Sequence, residues 1–166
     1  MMFRTQGTLA ALTIFFLVGC TSSRSVMAPT MTQSQALARI EELLTDTNSA
    51  LTPRPRLELS DMFSAPTRCL DPGPGESSDQ VVISRAYWLR DIPSNQHMDV
   101  ARQVMARWER QGHVIVGTGG MEIGRPNIAG ESRPDGFILA LVWAEGDDLY
   151  LAATSPCVLP DTTPEP

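Results

Sequence analysis

The sequence has no lysine: all 13 of its basic residues are arginine. Schiff-base chemistry and serine–lysine hydrolysis are therefore excluded, because each needs an amine that can shed its proton. Histidine is scarce. His97 and His113 stand alone, without cysteines or further histidines at metal-ligand spacing, so no zinc site is expected. No apolar run reaches the roughly 20 residues of a spanning helix. The nucleophile-elbow, serine–lysine and EF-hand patterns are missing. Gly119 and Gly124 have the first spacing of a phosphate loop, but Arg125-Pro126 stands where Lys-Ser/Thr is required. Glu122 occupies the third glycine position of a dinucleotide fingerprint, which removes that reading too. Basic excess is also lacking. The net charge of −6 argues against nucleic-acid binding and against attraction to anionic lipid. No cofactor, no metal and no enzymatic activity are expected.

What is present starts at the N-terminus. "MMFRTQG" carries one positive charge, Arg4, and no acid; the short apolar run "TLAALTIFFLVG" follows at residues 8–19. This is the layout of a secretory signal. Its end, Leu17-Val18-Gly19-Cys20, resembles the bacterial lipobox. The resemblance implies a diacylglyceryl thioether on Cys20 and cleavage just before it. Each buried methylene contributes about 0.8 kcal/mol, so two or three acyl chains hold a domain firmly at a membrane. Removing the first 19 of 166 residues leaves 147, the size of one domain, and loss of Arg4 takes the charge from −6 to −7. Residues 20–31 then read as lipidated cysteine and tether. As a flexible coil the tether spans about 18 Å.

With Cys20 acylated, Cys69 and Cys157 remain. In an oxidising, extracytoplasmic setting an even remainder points to a disulfide. A reactive thiol is the alternative, but there is no CxxC motif to favour it.

The rest of the chain divides by pattern. Thr32 and Gln35 form a capping box ahead of Leu37, Ile40, Leu43 and Leu44, which predicts a helix over 33–46. Prolines break residues 47–79, so no long regular element is expected there. "QVVISRAYWLRDI", residues 80–92, reads as a strand. Residues 95–111 place Ala101, Val104, Met105 and Trp108 on one helical face, with Gly112 as the stop. "HVIV" makes a short strand, with His113 expected at the surface. Residues 117–136 hold several glycines and read as loop, with a short strand near Met121–Ile123. "FILALVWA", 137–144, and "LYLAATSPCV" flank the polar turn "EGDD" as a hairpin. Residues 161–166 read as a disordered tail. The expected fold is a two-layer α+β domain over residues 32–160. It has a mainly antiparallel four-stranded sheet and two helices, in the order α-β-α-β-β-β, with Trp108 and Trp143 as core partners.

"VMARWERQG", a strand, and a hairpin closing with "LYLAATSPCVLP" together resemble a group of small actinobacterial envelope lipoproteins of unknown function, the LppA-like type and related domains. The likeness covers residues 80–160 and rests on Trp108, Gly112, Ser155, Pro156 and Cys157. It implies the fold and the envelope location and assigns no activity. An all-arginine basic set is in keeping with a GC-rich genome.

Function is read from these absences. The expectation is a non-enzymatic binding module, lipid-anchored on the extracytoplasmic face of the cell membrane, whose partner is an envelope protein or ligand. The alternative is a carrier holding a small or lipidic ligand between sheet and helices. Strand 80–90 is apolar on both sides, so either both its faces are covered or one is a binding surface. The residues of that candidate surface are Trp88, His97, Gly119, Gly120 and Arg125.

Overall fold

The computed structural model describes residues 31–70, 79–146 and 148–161. The signal segment, Cys20, the tether before Met31 and residues 162–166 of the tail lie outside them. The fold is α+β, with two helices on a mainly antiparallel sheet.

The first helix, α1 (Gln33–Ser49), begins at its capping box. Thr32 accepts from the Gln35 backbone N–H, and the Gln35 side chain accepts from the Thr32 N–H. Its buried stripe is Ala36, Ile40, Leu43, Leu44 and Thr47. The second helix, α2 (His97–Arg110), follows a single 3-10 turn and ends at Gly112, whose φ of +81° is the left-handed stop expected of glycine. Both helices pack on one face of the sheet, α1 over its middle and α2 over one edge. Trp108 fills the interlayer and donates its indole N–H to Thr47 Oγ1 at 3.0 Å. Phe137, Leu139, Leu141, Leu149 and Leu151 complete the core from the sheet. Trp143 is half-buried at its margin.

The main sheet has six strands, not four. In chain order these are β1 (Arg56–Leu59), β4 (Ser84–Arg90), β5 (Val114–Gly119), β6 (Asn127–Glu131), β7 (Ile138–Ala144) and β8 (Asp148–Thr154). Their spatial order is β1-β4-β8-β7-β6-β5, and every pair is antiparallel. The two unexpected strands have separate causes. β1 lies in the proline-broken segment, but after Pro55 its Leu57 and Leu59 alternate with polar residues, and Leu57 pairs with Leu89 of β4. β6 lies in the glycine-rich segment and has one large apolar residue, Ile128. Gly130 is small because Trp108 sits against it: a Cβ there would lie 2.9 Å from the indole ring. The short strand expected near Met121–Ile123 is instead a 3-10 turn.

A smaller sheet closes one end. Its strands are β2 (Thr67–Arg68) and β3 (Val81–Val82). Val81 also exchanges both backbone hydrogen bonds with Val158, at 2.9 Å each, and Thr32 bridges Leu159. Four segments thus lie side by side: the domain entrance at 31–32, then 158–159, 81–82 and 67–68. Cys69 and Cys157 are joined there at disulfide distance, with Cα atoms 5.7 Å apart. The predicted strand over 80–92 is interrupted at Ile83, whose N–H and C=O both bond to Ser155. The β7–β8 turn and Asp91 mark the opposite end of the molecule.

Candidate binding face of the sheet

Strand alternation gives the sheet two unlike faces. Tyr87 and Leu89 of β4 face the helices; the Tyr87 hydroxyl donates to the Glu41 carboxylate of α1 at 2.8 Å. Burial, and then this bond, push the Tyr87 pKa up to about 12. Ala86, Trp88 and Arg90 face the other way, where no described helix packs.

The registers define what stands on that second face. One row crosses five strands: Trp88, Tyr150, Val142, Asn127 and Gly119. The next row is Ala86, Ala152, Ala140, Ala129 and Gly117. The third is Ser84, Thr154, Ile138, Glu131 and Val114. A floor of alanine and glycine therefore runs across the strands; Ala86 and Ala152 at its β4–β8 end are buried, and it opens at Ala140, Ala129 and Gly117. It lies between an aromatic wall and a wall that includes Val114, 43% exposed, and Ile138, 46% exposed. A depression of about 260 Å³ opens over Gly117, Gly119, Ala129, Ala140 and Val142. Its lining is almost wholly apolar. An ordinary solvated face would carry alternating polar side chains instead.

Charge is kept to the margin. Arg90 lies over the Trp88 ring, 5.1 Å from its centroid, and Trp88 meets Tyr150 edge to face at 5.6 Å. Arg90 is fixed by Glu58 on one side (2.9 Å) and by Asp148 on the other (2.8 Å). Hydrogen bonds from Arg90 and then Arg56 hold the Glu58 carboxyl below the usual carboxylate range. This network holds the guanidinium beside Trp88 and leaves the floor uncharged.

Of the residues picked from sequence, Trp88 and Gly119 share this face and one row. Four strand spacings, about 19 Å, separate them. His97 is 2% exposed, packed inward at the start of α2, and so is no part of a surface. Gly120 is a turn residue: its φ is +66°, and a Cβ there would meet the Arg125 carbonyl oxygen at 2.0 Å. Arg125 stacks over the Trp143 ring at 4.6 Å, and Trp143 belongs to the helix side of β7. Trp88 and Gly119 thus come together with Tyr150, Val142 and the alanines, and His97, Gly120 and Arg125 do not. The alternation of small residues in "FILALVWA" carried the signal for Ala140, but aligning it with Ala86, Ala152 and Ala129 requires the register.

A second, polar hollow lies beside α1, lined by Arg39, Glu42, Asp46, Gln111, His113 and Arg133. Its charges are already partnered: Arg39 donates to Asp135 and Glu42, and Asp46 accepts from Arg107 and Gln111. His113 is buried there, contrary to the expectation of exposure, and accepts the Arg133 N–H on Nδ1 at 3.2 Å. Desolvation lowers its pKa. Among the described residues, no group of three His, Cys, Asp or Glu is placed to hold a metal. The interlayer is filled by Trp108, Phe137, Ile40 and the sheet leucines. Comparison with known protein families, curated proteins and solved structures finds no match for this chain.

Proposed function

We propose that this protein is a lipid-anchored, extracytoplasmic binding module without catalytic activity, held at the cell membrane through Cys20. In this reading its uncovered sheet face engages an envelope protein. It is of the same broad kind as the small actinobacterial lipoproteins that residues 80–160 resemble. The observation that carries the reading is the row of alanine and glycine across the face on which no described helix packs, open at Ala140, Ala129 and Gly117 and flanked by Trp88, Tyr150 and Ile138. Such a face gains little from water and presents a contiguous apolar surface to a partner. The signal pattern and the lipobox support the location.

A second reading keeps the small or lipidic ligand but moves its site. Large buried side chains, Trp108 and Phe137 among them, occupy the interlayer, whereas the apolar depression over Ala129 and Ala140 is open. The test is site-specific photo-crosslinking in the source cell's envelope, with the full chain carrying the crosslinker at Val142 or at Glu109 of α2. A discrete adduct from position 142 alone supports a protein partner. A lipid-sized adduct there favours the second reading. Equal labelling from both positions would sink the binding-face assignment.

A further inference from the structure

A different surface points to the bilayer itself. Three side chains on the 62–70 segment are large, apolar and open to solvent: Met62 is 49% exposed, Phe63 40% and Leu70 95%. Leu159 adds a fourth at 37%. They are not scattered. Phe63 shares a hollow with Gln33 and Leu37 at the start of α1. Leu70 follows Cys69, whose N–H bonds to Gln80 and whose sulfur is joined to Cys157. Leu159 bridges Thr32. The small sheet sets Leu70 and Leu159 at the end where the chain enters the domain, the hollow beside α1 sets Phe63 there, and Met62 adjoins Phe63 in the same turn. Thr32 and Arg68 are three strand spacings apart there, about 14 Å.

The position of that entrance is what selects the occupant. Met31 is the first described residue, and Cys20 precedes it by 11 residues. Fully extended, that stretch reaches at most about 36–40 Å. An acylated Cys20 therefore keeps this end of the domain near the membrane. The β7–β8 turn lies about 20 Å further off along strands β4 and β8. The apolar side chains stand on the near end, with one exposed arginine, Arg68, among them. We propose that Met62, Phe63 and Leu70 dip into the lipid interface and fix the orientation of the anchored domain, so that the uncovered sheet face stands at a set angle to the membrane. This rests on the lipoprotein reading of Cys20. Amphipathic contact of this kind is weak alone and becomes effective when acyl chains supply the main attachment.

The test uses the full chain, purified from membranes and reconstituted into vesicles of phosphatidylethanolamine and phosphatidylglycerol with brominated acyl chains. Bromine quenches tryptophan only where the indole enters the lipid. Variants L70W and F63W are compared with E145W at the far turn and with the unaltered chain. The mass of the Cys20 peptide is recorded on the same sample. The expected result is an acylated Cys20, loss of the added fluorescence in L70W and F63W, and no loss in E145W. An acylated Cys20 with L70W unquenched would overturn the orientation proposal and leave the anchor standing. An unmodified Cys20 would overturn both. Shielding of L70W that does not depend on bromine, with doubled mass after crosslinking, would assign the patch to a second copy and overturn contact with lipid.

Discussion

Two single residues show how far local chemistry decides this fold. Gly130 has no side chain because the Trp108 ring occupies the space. Gly130→Ala forces the indole or β6 to move, and overpacking of this kind costs about 1–3 kcal/mol. Urea unfolding should show the midpoint falling with little change in slope. Tyr87 is the second case. It is neutral in the fold and donates to Glu41, with a pKa of about 12 against an ordinary value of 10. A group whose pKa rises on folding adds stability that is complete below its unfolded pKa. That stability is lost as pH climbs through the folded value. The domain should therefore weaken between about pH 10 and 12, and Tyr87→Phe should flatten that part of the curve, as followed by circular dichroism. Neither residue announced itself in the sequence. Gly130 lies in a segment that reads as loop, and Tyr87 in a strand that reads only as apolar on both sides, since each owes its role to a partner more than 20 positions away.

At the scale of elements, the two helices were legible and two strands of the main sheet, with β2 of the small one, were not. Helix signals are local: the Thr32–Gln35 box and the Leu37, Ile40, Leu44 spacing of α1, and the Val104, Trp108 spacing and Gly112 stop of α2, lie within a few turns of each other. β1 and β6 are held by neighbours far along the chain, β1 by β4 and β6 by β5 and β7. β6 is mostly small or polar, and β1 is a four-residue stretch just after the prolines, so neither stood out. The pairing of Cys69 with Cys157 followed from counting and from the location implied by the lipobox. The structure adds what it fastens: residues 67–69 and 157–158, on either side of Val81. The bridge closes a loop with a sequence separation of 88. In the chain-entropy account such a closure contributes on the order of 4–5 kcal/mol. Cys69→Ser with Cys157→Ser should lower the unfolding midpoint accordingly. It should also speed amide exchange at Val81 and Val158 far more than at Leu141 or Leu151 in the central strands. Uniform acceleration would mean that the small sheet and the main sheet open as one unit.

At the scale of the molecule, the candidate site is a property of the sheet as a whole, which is why it was only half visible beforehand. Trp88 and Gly119 were both singled out, yet nothing in the linear order relates them. They share a face because β8, β7 and β6 stand between β4 and β5 in one antiparallel register. The anchor and the face are then separable in the proposed function, and two substitutions divide them. Cys20→Ala removes the thiol that would carry lipid and leaves the described domain untouched; the acyl mass should disappear from the N-terminal peptide, the leader should stay uncleaved, and the thermal midpoint of the domain should be unchanged. Ile138→Arg places a charge on the uncovered face at a side chain already 46% exposed. Substitutions at such positions usually change stability by no more than about 0.5 kcal/mol, so the variant should fold and stay at the membrane. It should nevertheless lose the crosslink from position 142, because a partner seated on the alanine floor would have to accommodate and desolvate a bulky guanidinium, a cost that its cross-strand neighbour Glu131 only partly offsets. If Ile138→Arg kept the crosslink at full yield, the contact would have to lie off this face. If it lost both the crosslink and several degrees of midpoint, the face would be part of the domain's own packing and not a surface awaiting a partner.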